Sequence, residues 1–500
     1  MLVFSNNGLQ KYELFFIFTH IGNIFSPFFR KKALPLHPKL ENNMKRLLIA
    51  MIICHLSFVT TGAQTAMEIA ADMVPGWNLG NTLEPGPCNW LSNELDYETA
   101  WQGSKTTQQI IDFVKEQGFR SVRIPCSWFV HMDANYNISP AWMDRVQQVV
   151  DYCINDSLYV ILNDHYDNGW IEKSFEGQTP STVSKNCFIL SMMWKQIATR
   201  FRDYDHHLLF AGMNEPDAAG DKSSDKAADI ATLVKYQQTF VNAVRQTGGN
   251  NATRILVVQS PSTSIDLAYE YDVMPTDTPS PLTSYLSSLT SQLMLEVHFY
   301  SPYNFTMMTK DESWGNQAYY WGAANHVSGS AHNVTWGEEA YVQSQMRQMK
   351  TKYTSKGIPV IMGEFGTLWR VMPKGEDQDK HDASVYSWYK TVCRYAVHNG
   401  IVPFVWDTNA CQRPSMDVLN RKTLTVFNPH ALSGIMDGCA SVAWPYTPTS
   451  NIQHPTPNTP LPTPNTQHLT PKYYSLSGLL LAGPTKKGLY IKDGKIRAIE

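Results

Sequence analysis

Eight short apolar runs, each ending in polar or aromatic residues, constrain the fold more than any other feature of the sequence. Amphipathic, helix-like stretches such as Thr107–Gln117 and Ala141–Cys153 lie between them. Strands that alternate with helices pair in parallel, so eight such units between residues 66 and 445 predict a (β/α)8 TIM barrel. The predicted strands are Gly76–Gly80, Ser121–Pro125, Tyr159–Asn163, Leu208–Met213, Arg254–Gln259, Leu293–Tyr300, Pro359–Gly363 and Val402–Trp406.

An open, doubly wound sheet is the structural alternative to the barrel. Such a sheet normally carries a glycine-rich phosphate loop after one of its strands. The sequence contains neither GxGxxG nor GxxxxGK followed by Ser or Thr. We therefore favour the barrel.

Charge and aromatic content narrow the class of function. Lys plus Arg number 41 against 44 Asp plus Glu, so no excess of basic charge predicts nucleic-acid binding. The 14 Trp and 24 Tyr are numerous, and such rings either pack in a core or offer flat apolar surfaces to sugars. An enzyme or a carbohydrate-binding protein is therefore expected.

The N-terminal region has the pattern of an export signal. Met44-Lys45-Arg46 precedes the apolar run Leu47–Val59, and small residues follow up to Gln64. A basic start, a short apolar run and a small-residue exit predict a signal peptide at 44–64, with residues 1–43 upstream of the true start or disordered. A membrane-tethered N-terminus is the alternative. We expect a secreted or cell-surface protein.

The C-terminal region predicts a linker and a tail. Repeated Pro-Thr-Pro and Pro-Asn-Thr at 446–471 favour an extended spacer. Residues 472–500 contain two strand-like pieces around glycine turns. They resemble the C-terminal tails that some bacteria use for sorting or surface attachment, so we predict attachment of the protein to the cell surface through this tail.

Cysteine and histidine patterns favour neither a metal site nor a cofactor. Seven cysteines follow the predicted signal peptide, with no CxxC pair, and we expect buried free thiols. No HExxH or HxH occurs, and His206-His207 is predicted to lie in a polar loop. A GxSxG nucleophile motif is also absent.

Function in a TIM barrel is located where the strands end, at their C-terminal face. Two of the polar residues there, Glu215 and Glu364, follow buried runs and should point across the same opening. Glycosidic cleavage needs two carboxylates in that arrangement, with a gap of roughly 5–5.5 Å for retention and ~6.5–9.5 Å for inversion. The candidate site residues are Arg123, His165, Asn214, Glu215, His298, Tyr300, Glu364 and Trp406.

Five segments in order resemble the signatures of glycoside hydrolase family 5, a family of secreted cellulases. They are GWNLGNTLE, VRIP, MNEP, EVHFYSPY and GEFG, spread between Gly76 and Trp406. The resemblance implies Glu215 as general acid/base and Glu364 as nucleophile of a retaining mechanism. We expect a raised pKa for the acid and an ionised nucleophile beside Arg123.

The resemblance also implies roles for the supporting residues. Asn214 would donate to the substrate 2-hydroxyl, and Tyr300 to the nucleophile. His165 and His298 would orient hydroxyls or tune the acid, although the family often has two adjacent His where this chain has His165-Tyr166. Trp406 would be the sugar-stacking platform.

The sequence thus predicts a monomeric, secreted, endo-acting β-1,4-glucan hydrolase of the cellulase type, with a β-linked polysaccharide as its partner. The same chemistry on mannan, xyloglucan or mixed-linkage glucan stays open, because loops after the strands set the subsites. Pro275–Ser291 and Lys310–Tyr320, with Trp314, are predicted to wall those subsites. A non-catalytic glycan-binding protein and a surface adhesin are the alternatives from other classes.

The export signal makes a prediction about the mature chain. N-terminal sequencing of exported protein should begin near Gln64–Ala66, because the small residues before that point suit signal peptidase. A mature chain that starts before Met44 would contradict the signal-peptide assignment.

Overall fold

Parallel pairing of eight neighbouring strands closes a barrel, as β8 pairs with β1. The computed structural model describes residues 65–175, 177–275 and 292–445, and the backbone of four short strands near the C-terminus. The predicted (β/α)8 barrel is confirmed, and the open sheet is wrong. The strands are β1 Gly76–Asn78, β2 Ser121–Ile124, β3 Tyr159–Asn163, β4 Leu208–Ala211, β5 Leu256–Gln259, β6 Leu293–Phe299, β7 Val360–Phe365 and β8 Ile401–Val405.

Helices separate the strands and surround the barrel. Proline in the first turn and polar N-caps mark several of their starts, as at Thr179-Pro180 and Asn428-Pro429. The helices of the described residues are α1 Ala66–Asp72, α2 Gln108–Glu116, α3 Pro140–Asn155, α4 Pro180–Arg200, α5 Lys226–Gln246, α6 Ile265–Glu270, α7 Tyr303–Thr306, α8 Glu339–Lys352, α9 Gln378–His398 and α10 Pro429–Ala440.

The barrel interior changes from apolar to polar along its axis. At the N-terminal end, inward residues such as Ile161, Leu209 and Phe404 form a cluster with Ile69 of α1, which covers this end. Gly76 leaves room for the Phe404 ring, because a Cβ there would lie 2.3 Å from it. The C-terminal half of the interior is polar, and that half holds the site described below.

Other parts of the chain bear on the sequence predictions. The cysteines from Cys88 to Cys439 are free, with four buried and three partly exposed. Trp77 and Trp128 are buried in the core, and His206-His207 lies in the loop before β4, as predicted. No helix within the described ranges is long and apolar enough to cross a membrane.

Two small sheets follow the barrel. Strands β9 Leu419–Asn420 and β10 Thr425–Val426 form a hairpin. The C-terminal segment contains β11 Tyr473–Tyr474, β12 Leu480–Leu481, β13 Gly488–Lys492 and β14 Lys495–Ile499, which form an antiparallel sheet in the order β12-β11-β13-β14. Strands β13 and β14 pair over five residues each. The predicted signal peptide and linker lie outside the described residues.

The loop before β4 depends on Arg254. Its Nη2 donates to the carbonyls of Phe201 (3.0 Å) and Tyr204 (2.7 Å), and its Nη1 donates to those of Asp205 (2.9 Å) and Leu208 (2.6 Å). Burial lowers its pKa only to about 10, so the guanidinium stays charged at neutral pH.

Arg254→Met should therefore lower the free energy of unfolding by about 2–4 kcal/mol, because buried carbonyls lose charged donors. Arg200→Met is the control: it removes an exposed ion pair with Asp144 and should cost less than about 1 kcal/mol. Chemical denaturation measures both. Equal losses would contradict the role given to Arg254.

Candidate active site

Arg123 lies at the centre of the site, on β2, with no exposed surface. Its Nη1 donates to Asn78 Oδ1 (3.0 Å) and Glu364 Oε1 (3.1 Å), and its Nη2 donates to Asn214 Oδ1 (2.7 Å). Its Nε pairs with Glu296 Oε1 at 2.9 Å. One side chain therefore links β1, β2, β6, β7 and the segment after β4.

Glu296 is a fully buried carboxylate of β6 that the sequence analysis did not single out. Besides Arg123, it accepts a hydrogen bond from Gln259 Nε2 (2.8 Å) and lies 3.4 Å from His298 Nε2. Burial would raise its pKa, but Arg123 and His298 outweigh burial and lower it. The sequence feature that could have identified Glu296 is its position two residues before His298, on the same face of a strand.

Gly363 makes room for that carboxylate. A Cβ at residue 363 would lie 1.8 Å from Glu296 Oε1. The β6–β7 register shifts here, so that Val297 pairs with Met362 and His298 with Glu364. This irregularity brings Glu364 beside His298.

Glu364 is held by two hydrogen-bond donors and one nearby cation. Tyr300 Oη donates to its Oε2 (3.0 Å), Arg123 binds Oε1, and His298 Nδ1 lies 3.6 Å from Oε2. Burial raises the pKa of Glu364, and Glu215 adds to this, against the opposing charges of His298 and Arg123. Arg123 therefore favours the ionised form, but burial outweighs it.

Glu215 differs from Glu364 in exposure, since 46% of its side chain is accessible. His298 Nδ1 lies 2.7 Å from Glu215 Oε1, and Thr263 Oγ1 donates to the same oxygen (3.4 Å). Desolvation would raise the pKa of Glu215, but the hydrogen bond and charge of His298 lower it. The raised pKa expected for this carboxyl is therefore wrong for the free protein, and the reason is the neighbouring imidazolium.

His298 carries that positive charge. Burial alone would lower its pKa, but Glu364, Glu215 and Glu296 outweigh burial and raise it to about 10. Both ring nitrogens are therefore donors at neutral pH. The proton on Nδ1 lies one hydrogen bond from Glu215.

Asn214 and Glu215 are fixed through their backbone by Glu172, a second residue that the sequence analysis missed. Glu172 Oε1 accepts the N–H groups of Asn214 (3.0 Å) and Glu215. Burial raises the pKa of Glu172 to about 8 despite these two donors. No short motif in the sequence marks this residue.

His165 and Trp406 form one side of the opening. Their rings are parallel within 5° with centroids 5.8 Å apart, and Trp406 is partly exposed. His165 Nδ1 contacts Asn163 Nδ2 (3.1 Å), and burial, with Arg123 and His298 nearby, keeps its pKa well below the usual value. A neutral His165 therefore supports the Trp406 face.

Trp170 and Trp314 differ in their exposure. Trp170 is half-buried, donates to Asp164 Oδ2 (3.2 Å) and stacks on Phe129. Trp314 is 66% exposed and lies beside Tyr303, with ring centroids 6.1 Å apart. Residues 276–291, the other predicted wall, lie outside the described residues.

Two groups of side chains within the described ranges bring possible metal donors within 4.8 Å of one another. Asp205, His206 and His207 form an exposed one, and Glu215, His298 and Glu364 form the other. A metal-bound imidazole must lose its proton, whereas His298 holds its proton against three carboxylates. The second group is an acid–base cluster, and the absence of a metal or cofactor stays a prediction.

The structure brings all eight predicted site residues to one end of the barrel. One carboxylate oxygen of Glu215 lies within 4.8 Å of one of Glu364. Both carboxylates thus lie close enough to act on the same glycosidic bond. The arrangement can therefore supply an ionised carboxylate and a proton to opposite sides of one bond.

The comparisons with known proteins agree with this chemistry. The family model described as Cellulase (glycosyl hydrolase family 5) matches residues 86–412. Endoglucanase A of Paenibacillus barcinonensis is 34% identical, over 75% of this chain and 90% of its own. The xyloglucan-specific endo-β-1,4-glucanase BoGH5A of Bacteroides ovatus is 33% identical, over 75% and 70%.

A solved structure shows similarity at higher identity. The xyloglucan-specific β-1,4-glucanase XEG5B from a ruminal metagenomic library, in complex with XXLG, is 46% identical with a TM-score of 0.70. The match covers 78% of this chain and all of that one. A lichenase from Caldicellulosiruptor is 32% identical with a TM-score of 0.63, over 75% of this chain and 96% of its own.

Gly363→Ala should lower the free energy of unfolding by about 1–3 kcal/mol and reduce activity, because the added methyl group collides with Glu296. Gly315→Ala is the matched control, since a Cβ at residue 315 would have no atom within 4 Å. Thermal unfolding and turnover measure both. Wild-type stability of Gly363→Ala would contradict the close approach.

Proposed function

This chain belongs to glycosyl hydrolase family 5 and is a glycoside hydrolase acting on β-glucans, and we propose that it is an endo-acting, retaining hydrolase of β-1,4-glucan backbones. Glu364 is the proposed nucleophile and Glu215 the proposed acid/base. The observation that carries the proposal is that one oxygen of each carboxylate lies within 4.8 Å of the other, and that both contact a shared network of Arg123, His298 and Tyr300.

The proposed reaction proceeds in two displacements. A Glu364 oxygen attacks the anomeric carbon while the glycosidic C–O bond breaks, and the leaving oxygen takes a proton from Glu215. Water then attacks the same carbon, the Glu364 ester bond breaks, and Glu215 takes the proton of that water. Tyr300 and Arg123 bind the Glu364 carboxylate before it attacks and again when it leaves the anomeric carbon in the second displacement.

The proton for the first displacement has a defined source in this proposal. Glu215 is ionised in the free protein, while His298 holds a proton 2.7 Å away. Substrate that shields Glu215 from water favours its neutral form, because desolvation penalises the carboxylate. Transfer of the proton from His298 to Glu215 then makes Glu215 a general acid.

Xyloglucan is the β-1,4-glucan that we propose as preferred substrate. This extends the cellulose-type prediction, for which xyloglucan was an open alternative. Support comes from the 46% identity to a xyloglucan-specific enzyme along that enzyme's full length. An exposed Glu215 suits a wide cleft that accepts a branched chain, and so does the exposed Tyr303–Trp314 pair, in which Tyr303 is three residues after Tyr300.

We further propose that the protein is exported, monomeric and attached to the cell surface. Export is proposed from the sequence pattern at 44–64, and surface attachment from the pattern at 472–500. The Pro/Thr-rich segment at 446–471 would hold the catalytic domain away from the point of attachment.

Substrate preference is tested by reducing-sugar release from xyloglucan, carboxymethylcellulose, mixed-linkage β-glucan and mannan. We expect the highest kcat/KM on xyloglucan and a slower release from the unbranched glucans. Higher activity on an unbranched polymer would reject xyloglucan as the preferred substrate. No activity on any polymer, from folded protein that binds one, would favour a non-catalytic glycan-binding protein.

The carboxylate roles are tested by two substitutions. Glu364→Gln should lower kcat by about 10⁴-fold or more on every substrate. Glu215→Gln should lower kcat/KM by about 10²–10⁴-fold on polymers but far less on 2,4-dinitrophenyl β-cellobioside, whose leaving group needs no proton in the first displacement. Glu116→Gln, an exposed change at the end of α2, is the control. Equal losses on both substrates for Glu215→Gln would contradict its role as the acid.

A further inference from the structure

We propose that Glu296, inside the barrel, is a positioning residue that holds Arg123 against Glu364 and His298 against Glu215. Its role would make the active site one of three carboxylates rather than two. The inference rests on the proposed function, because it concerns how the same two carboxylates are prepared.

The geometry places Glu296 beneath both catalytic candidates. Its Oε1 contacts Arg123 Nε (2.9 Å) and His298 Nε2 (3.4 Å). Arg123 and His298 each extend from there to a catalytic carboxylate, Arg123 to Glu364 and His298 to Glu215. Glu296 therefore contacts neither carboxylate and acts through the two cations between them.

Neighbouring residues are arranged around this carboxylate. Gln259, on β5, donates to Glu296 Oε2 (2.8 Å), so both oxygens have partners. Gly363, on β7, has no side chain where a Cβ would meet Oε1 at 1.8 Å. Because a buried carboxylate is costly unless paired, these contacts are what a fixed charge at this position requires.

The protonation of His298 follows from this arrangement. An imidazolium held by carboxylates on both ring nitrogens keeps two protons, and Nδ1 then donates towards Glu215 and Glu364. Without Glu296, one of the charges that raises the pKa of His298 is lost. Charged and titratable groups from five strands and the loops after them face His298. They are Arg123 of β2, His165 after β3, Glu215 after β4, Glu296 of β6, Tyr300 just after β6, and Glu364 of β7.

Loss of the Glu296 charge should move the pH profile in one direction. Removing a negative charge lowers the pKa of His298, so its proton is lost at lower pH. Arg123, freed from Glu296, also favours the ionised form of Glu364 more strongly. Both limbs of the kcat/KM profile should therefore move to lower pH, the alkaline limb by about one unit or more.

The test compares Glu296→Gln with Glu98→Gln, measured on xyloglucan and carboxymethylcellulose. Glu98 is a matched control, because it forms the same kind of buried pair with Arg145 (2.7 Å), away from the site. Glu296→Gln should reduce kcat by about tenfold or more, with KM changed less than about threefold and the alkaline limb shifted to lower pH. Glu98→Gln should lower the melting temperature and leave the profile unchanged.

Each outcome decides the proposal. Folded Glu296→Gln with the wild-type pH profile would overturn it and leave Glu296 a stabilising residue. If Glu296→Gln does not fold, Glu296→Asp takes its place: the charge is withdrawn by one methylene, and the same shift is expected at smaller size, whereas an unmoved limb overturns the proposal. Wild-type protein that cleaves no β-glucan would instead reject the proposed function.

Discussion

The buried positive charge of Arg123 is the constraint on which the rest of the site depends. A guanidinium with no exposed surface is costly unless its charge and its donors are matched. Here Glu296 and Glu364 supply the charge, and Asn78 and Asn214 each accept a hydrogen bond. Because these partners lie on or after separate strands, the contacts of one guanidinium also hold those strands together at the polar end of the barrel.

The two ends of the barrel divide stability from chemistry. The N-terminal end is filled by apolar side chains and covered by α1, which requires no polar partner. At the C-terminal end, His298 lies among three carboxylates and carries a proton at neutral pH. Apolar packing is therefore concentrated at one end of the barrel and the titratable groups at the other.

The sequence predicted the fold and the polar strand ends well, because apolar runs and the residues after them are local features. Helix and strand alternation indicated the barrel, and Glu215 and Glu364 were found by their position after buried runs. Strand bounds were less accurate: β7 continues through Glu364 and Phe365, whereas the prediction ended at Gly363. The register shift beside Gly363 is a property of the pairing between β6 and β7, which are distant in sequence, and leaves no local pattern.

The residues missed by the sequence analysis act through other residues. Glu296 contacts two cations, and Glu172 accepts hydrogen bonds from two backbone N–H groups. Glu296 is the first residue of the segment EVHFYSPY, but its position was not among those to which the resemblance gave a role, and Glu172 lies in none of the five segments. The pKa order of Glu215 and Glu364 was also wrong. Burial and a nearby anion were considered for Glu215, but the distance to His298 decides the result, and that distance follows from the fold.

The central claim is that Arg123 and Tyr300 hold Glu364 as a nucleophile that forms a covalent intermediate. The most direct test is to incubate the protein with an activated 2-deoxy-2-fluoro-β-cellobioside and to map the modified peptide by mass spectrometry. The fluorine slows the second displacement, so the account predicts one glycosyl group attached to Glu364, together with loss of activity. Attachment to another residue, or inactivation without a covalent adduct, would contradict it.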